Sequence, residues 1–207
     1  MSKSETKEAS ENSKQTLKDA EKKLTELSFD KATVEAIDTL LQSGANINIK
    51  DEYGETPLVK ALFSQNLSVA KFLIEKSADF NVTNMAGHTP MMICVRNGYI
   101  DVAELLIQKG DDINRVSPEN EESLLATAVW TNQEEMAKWL LEKGIDVNKS
   151  DVLGWTPLMI SACLGLTNIT KILLSCGADK DKRQQRNWTA LDLAMFYNHT
   201  DIVELLM

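Results

Sequence analysis

Two histidines, three cysteines and 31 carboxylates are the side chains with which this 207-residue chain could do nucleophilic, acid–base or metal chemistry. His88 and His199 lie far apart in sequence, and neither belongs to a cluster with metal-ligand spacing. Cys94, Cys163 and Cys176 are odd in number, contain no Cys-x-x-Cys pair and fall in separate segments, so they read as free thiols of a reducing compartment. Cys94 stands among apolar residues, where a thiol packs as a small hydrophobe. Cys176 precedes a glycine and should be more exposed, with no cation placed to activate it. There is no glycine-rich phosphate loop, and the carboxylates are scattered. The residue types therefore point to no catalytic, metal or cofactor site, which leaves the chemistry of a binding surface.

What must position such a surface is a repeat. Thr56-Pro57-Leu58, Thr89-Pro90-Met91, Ser123-Leu124-Leu125, Thr156-Pro157-Leu158 and Thr189-Ala190-Leu191 recur in steps of 33, 34, 33 and 33 residues. Gly44, Ser77, Gly110, Gly144 and Gly177 keep the same phase, so two independent markers share one period. Within a period, Thr156 is a good N-cap and Pro157 suits the first helical position, so a helix starts there. After Gly165, the residues Ile169, Ile172, Leu173 and Leu174 follow at helical spacing up to Gly177, a left-handed C-terminal cap. The next stretch, Ala178 to Trp188, carries no helical stripe and reads as an extended turn or finger.

The order Asp-x-x-Gly-x-Thr-Pro-Leu (Asp51 to Leu58), a Leu-Leu pair and a Gly-Ala-Asp turn (Leu173 to Asp179) resembles the ankyrin repeat over about residues 31 to 207. That resemblance implies an all-α solenoid of stacked helix-turn-helix units with projecting β-hairpin fingers, and a concave face built from fingers and first helices. It divides the chain into a polar, disordered tail (1–16) and a repeat domain (17–207). The domain comprises an N-terminal capping repeat (17–50), repeats at 51–83, 84–116, 117–150 and 151–183, and an incomplete last repeat (184–207). Leu17, Ala20, Leu24 and Leu27 give the capping helix its apolar stripe. Ile202 to Met207 begins a helix with no glycine cap after it, so either the natural chain continues or the last unit frays.

The chain departs from the family pattern in three ways. Val59, Met92, Ala126, Met159 and Asp192 stand where the family has a histidine that ties neighbouring loops, which puts rigidity between repeats in question. Glu121 replaces the finger glycine and one residue is inserted between Asn114 and Ser123, so the fourth finger should be misshapen. Ser77 replaces a capping glycine, at a cost of about 1 kcal/mol if the left-handed geometry is kept.

In register with the repeat, two positions per first helix and three per finger are left free by the fold. Seven of the chain's twelve Phe, Trp and Tyr fall on them. The candidate partner-binding residues are Tyr53, Phe63, Arg96, Trp130, Leu153, Trp155, Leu164, Trp188, Phe196 and Tyr197, the types that dominate interface energies. The competing reading is that these aromatics only support neighbouring fingers. Glu52, Glu55, Glu119, Glu121 and Glu122 rim the earlier fingers with acid, which either steers a basic segment of a partner or is simply a solvated rim.

A net charge of −9 argues against nucleic acid or an anionic membrane as the partner. No run is long and apolar enough for a membrane span, and the first residues lack a secretory signal core. The expectation is a monomeric, non-catalytic, intracellular module, cytoplasmic with the nucleus also open, that binds another protein or peptide through its concave groove without a cofactor. The alternative is a structural spacer or regulatory segment of a larger protein, host-directed or channel-like.

Overall fold

A computed structural model describes residues 3–207, with side chains from residue 12 onward. Twelve helices follow one another: α1 (Lys3–Glu26), α2 (Val34–Gln42), α3 (Pro57–Phe63), α4 (Leu67–Glu75), α5 (Pro90–Asn97), α6 (Ile100–Gln108), α7 (Leu124–Trp130), α8 (Glu134–Glu142), α9 (Pro157–Leu164), α10 (Thr167–Ser175), α11 (Ala190–Phe196) and α12 (Thr200–Leu206). The described chain forms two compact units, one ending at Ile93 and the other spanning Cys94–Met207.

The Thr-Pro-Leu signature acts as its chemistry dictates. The hydroxyls of Thr56, Ser123, Thr156 and Thr189 accept the backbone N–H three residues on, at the starts of α3, α7, α9 and α11. At α11 Asp192 closes a capping box. The helices are too short to persist alone in water, and packing holds them. In the first unit Leu58, Leu62, Leu73 and Ile74 of the pair α3–α4 are fully buried. In the second, Leu124, Leu125, Leu140, Leu158, Leu173 and Ile202 play that part.

Three left-handed positions recur in each period, one more than the two glycine markers reveal. Besides the caps (Gly44, Ser77, Gly110, Gly144, Gly177) and the finger tips (Gly54, Gly87, Glu121, Gly154, Asn187), the turn between paired helices has positive φ at Gln65, Gly98, Asn132, Gly165 and Asn198. Ser77 keeps φ 65, so the strain expected from its Cβ is present. At Gly165 a Cβ would lie 2.7 Å from the ring of His199, whereas at Gly177 it would meet nothing within 4 Å.

Several expectations are corrected. Helix α1 begins at Lys3, ahead of the boundary at residue 17 expected for the capping helix; no Gly or Pro interrupts Lys3–Glu26, and Gln15 donates to Asp19 one turn on. Residues 1 and 2 lie outside the described residues. The fingers are tight turns: among the described residues there is no strand, only an isolated bridge between Val116 and Ser123. In each regular finger the first residue's N–H donates to the carbonyl four residues on, as from Asp51 to Glu55 and from Asp151 to Trp155. Asp51 and Asp151 also each accept two further backbone N–H groups on one carboxylate oxygen. This self-bonding uses the polar groups that a two-stranded ribbon would pair. The inserted residue widens the fourth finger by one position, closing Ser117 N–H on Glu122 O at 2.8 Å while Glu121 holds the left-handed site with φ 56.

Buried apolar side chains replace the missing histidines at Val59, Met92, Ala126 and Met159. Ties between repeats are made elsewhere. Asn66 donates to the carbonyls of Phe29 and Ala32, Gln133 to that of Arg96 and His199 Nε2 to that of Cys163. The Asn48 and Asn148 side chains accept the N–H groups of Asp79 and Asp179 in the following turn. At the end of α12, Lys180 Nζ donates to Leu206 O at 3.0 Å and supplies the cation that a helix C-terminus favours. Leu206 and Ile202 are buried, so the last unit is packed.

Candidate functional site

The positions left free by the repeat behave differently in the two units. In the first, Tyr53 at a finger tip is 62% exposed and Phe63 at the end of α3 is 48% exposed. Among the described residues, neither makes a ring contact. In the second unit the rings on the free positions meet. Trp130, at the end of α7, lies 6.1 Å from Trp155 of the fifth finger, centroid to centroid. Trp188 of the sixth finger lies 5.0 Å from Phe196, which meets Tyr197 edge-on at 5.1 Å, and Tyr197 stacks on His199 at 6.3 Å.

This aromatic set rests on a framework of main-chain bonds. Val152 N–H donates to Asn120 O and Gln185 N–H to Leu153 O, each at 3.0 Å, so the fourth, fifth and sixth fingers are joined in series. The Gln185 amide adds a bond to Val152 O. Trp155 and Trp188 are half-buried between fingers, while Trp130, Leu153, Leu164, Phe196 and Tyr197 are exposed. Leu153 and Trp155, with Gln184, Gln185 and Arg186, line a recess of about 330 Å³. Trp188, Phe196 and Met195, with Arg183, Arg186 and Asp192, line a second of about 530 Å³. Arg96 stands apart from these rings: its side chain is exposed, and its carbonyl serves Gln133.

Trp139 shows how a structural tryptophan differs. It is 8% exposed, donates its indole N–H to Glu104 at 3.1 Å and lies beneath Lys143, whose ammonium also bonds Glu104 at 2.8 Å. The Lys143 and Trp139 bonds hold the Glu104 carboxyl below its ordinary pKa.

The acidic rim is partly engaged by the protein's own groups. Glu121 approaches Lys149 at 3.6 Å and Glu122 accepts the Thr127 hydroxyl at 2.6 Å, whereas Glu52 and Glu119 are exposed. Burial raises the Glu55 carboxyl pKa, helped by the neighbouring Asp51 charge.

The potentially reactive side chains do not converge. Cys94 is fully buried, and burial raises its thiol pKa strongly. Cys163 is half-buried against Tyr197, with its pKa also raised by burial, and Cys176 is exposed. Among the described residues no three His, Cys, Asp or Glu side chains could hold a metal ion, and no helix is long and apolar enough to cross a membrane. One buried charge escaped the sequence reading. Asp111 occupies the position of Ala45, Ala78 and Ala178, with its side chain out of solvent. Its Oδ1 takes the Arg115 guanidinium at 2.9 Å, while Oδ2 has no hydrogen-bond partner. Burial raises its pKa, and the Arg115 interaction only partly opposes that.

A family model described as "Ankyrin repeats (3 copies)" matches residues 27–117, 88–151 and 125–207. The chain belongs to the ankyrin repeat family. Its fold is accordingly an all-α ankyrin fold, and ankyrin repeats are generally non-catalytic protein-binding modules. Among solved structures, it is similar to a chain of the complex of the Bd0816 predatory endopeptidase from Bdellovibrio bacteriovorus with immunity protein Bd3460. The identity is 30%, the TM-score 0.77, and the match covers 88% of this chain and 95% of that one. An ankyrin repeat domain (ABAYE2397) from Acinetobacter baumannii AYE matches with 26% identity and a TM-score of 0.78, over 86% of this chain and 93% of that one. A 35-residue stretch is 60% identical to Potassium channel AKT1 of Arabidopsis thaliana, covering 17% of this chain and 4% of the channel's length.

Proposed function

We propose that this ankyrin chain is a non-catalytic protein-interaction module. Its main docking surface is the aromatic face of the second unit, formed by Trp130, Leu153, Trp155, Leu164, Trp188, Phe196 and Tyr197. The observation that carries this reading is the mutual contact of rings, Trp130 with Trp155 across two repeats and Trp188 with Phe196 within the last, beside two open recesses, whereas Tyr53 and Phe63 of the first unit stand singly. Large half-exposed aromatics fixed on a bonded framework lose little freedom on binding and bury much area, the character of interface hot spots. Exposed Glu119, on the finger joined to this face, would attract a basic stretch of the partner. The similarity to a chain from a complex of a predatory endopeptidase with an immunity protein supports a folded protein or a segment of one as the occupant.

The test is affinity purification from the native cell with the full chain as bait, followed by titration of the recovered partner. The Trp155→Ala/Trp188→Ala double variant should lose more than about 2 kcal/mol of binding free energy while its helical circular dichroism is kept. Unchanged affinity in that variant defeats the reading and leaves these rings as supports for the fingers.

A further inference from the structure

The charge of the sixth finger runs against that of the whole chain. On a protein of net charge −9, the stretch from Lys180 to Arg186 carries Lys180, Lys182, Arg183 and Arg186 against the single Asp181. Three of these cations have local work: Lys180 caps Leu206 O, Lys182 Nζ donates to Asn148 O at 3.1 Å and Arg183 donates to Asn187 O at 2.8 Å. The exposed Arg186 guanidinium has no partner among the described residues. Its backbone, in contrast, is held. The N–H of Arg186 donates to Gln184 Oε1, and Gln184 is only 7% exposed.

Arg186 is also the one residue that lines both recesses, with Trp155 and Leu153 on one side and Trp188, Met195 and Phe196 on the other. The carboxylate of the second recess, Asp192, is committed to the Thr189 cap, accepting both its N–H and its hydroxyl at 2.8 Å. A fixed backbone, an uncommitted planar guanidinium, and Leu153 and Trp155 on one side with Trp188, Met195 and Phe196 on the other match one ligand chemistry. Arginine binds a carboxylate through two parallel N–H bonds, and flanking apolar groups shield that pair from water.

We propose that Arg186 is a carboxylate clamp between two aromatic recesses, and that the segment docked on the second unit carries an Asp or Glu flanked on both sides by bulky apolar residues. The inference rests on the aromatic face being a docking surface, and adds the chemistry at its centre. With the acidic fourth finger beside it, this face favours a segment whose charge changes sign along its length, basic toward Glu119 and acidic at Arg186.

The test uses the full chain and a random dodecapeptide library displayed on phage. Selected peptides should be enriched in an Asp or Glu between two bulky apolar residues. By fluorescence anisotropy, the best of them should bind Arg186→Glu at least tenfold more weakly, with part of the loss restored when the peptide's acidic residue is changed to Lys. Peptides without acidic enrichment, or binding to Arg186→Glu within twofold of the native chain, overturn the clamp. If Arg186→Glu is unchanged while Trp155→Ala/Trp188→Ala loses binding, the docking face stands without the clamp. If both variants bind as the native chain does, or no peptide is recovered, the docking face falls too.

Discussion

Phe63 in the first unit occupies the same repeat position as Trp130 and Phe196 in the second, and Tyr53 that of Leu153 and Arg186, yet the rings of the two units differ in kind. The first are single exposed rings, which any soluble protein tolerates. The second are rings in mutual contact, Trp130 with Trp155 across adjacent repeats and Trp188 with Phe196 within the last, beside fingers bonded in series and bordering two recesses. The repeat thus supplies equivalent places, and what a place does depends on the finger beside it: Trp130 meets Trp155 and Phe196 meets Trp188, whereas the corresponding finger positions around Phe63 are His88 and Glu55.

The sharpest way to break this comparison is to empty both sets. The Tyr53→Ala/Phe63→Ala double variant should change partner affinity by less than about 0.5 kcal/mol, against more than about 2 for the Trp155/Trp188 pair. Comparable losses, read by titration calorimetry, would erase the distinction between the units.

Next in size is a loss of stability that separates folding from docking. Gly165→Ala adds a Cβ both at φ 73 and 2.7 Å from the His199 ring, so it should destabilise the second unit by about 2 kcal/mol or more. Gly177→Ala, at φ 85 with open space around it, should cost about 1 kcal/mol. Denaturant unfolding checks both, and equal costs would show that the His199 contact does not matter.

Asp111 gives a pH-dependent contrast, because the first unit has Ala45 and Ala78 at its position. A carboxyl whose folded pKa lies above its unfolded value favours the folded state most at low pH. That contribution declines once pH passes the unfolded value of roughly 4, and is lost through the higher folded value. Asp111→Ala should therefore gain stability relative to the native chain as pH rises from 4 to 7. A difference that stays flat, or moves the other way, would mean that the Arg115 pair outweighs burial.

The smallest effect is expected in the first unit. Ser77→Gly relieves a left-handed Cβ at φ 65 and should raise stability by up to about 1 kcal/mol, seen as a higher urea midpoint with an unchanged slope.

These contrasts also mark what could be read from the residues in order. The helix pairs were legible because Thr-Pro-Leu and the capping glycines fix both ends of each hairpin, and the aromatic positions followed from phase alone. The left-handed turn between paired helices was harder to see, because Gln65, Asn132 and Asn198 share that role with two glycines and no single residue type marks it. The ties made by Asn66, Gln133 and His199 use three different side chains for a related bond to the preceding repeat, so no motif announces them. The Asp111–Arg115 pair looks in sequence like one more solvated charge; only packing shows it buried. Nor could spacing show that Arg186 alone joins two recesses, since that depends on how consecutive fingers lie against each other.

The most direct measurement is hydroxyl-radical footprinting of the full chain, free and bound to its purified partner. Trp155, Trp188, Phe196 and Tyr197 should become protected together, while Tyr53 and Phe63 keep their reactivity. Protection of Tyr53 and Phe63, with the second-unit rings left as reactive as before, would contradict the account.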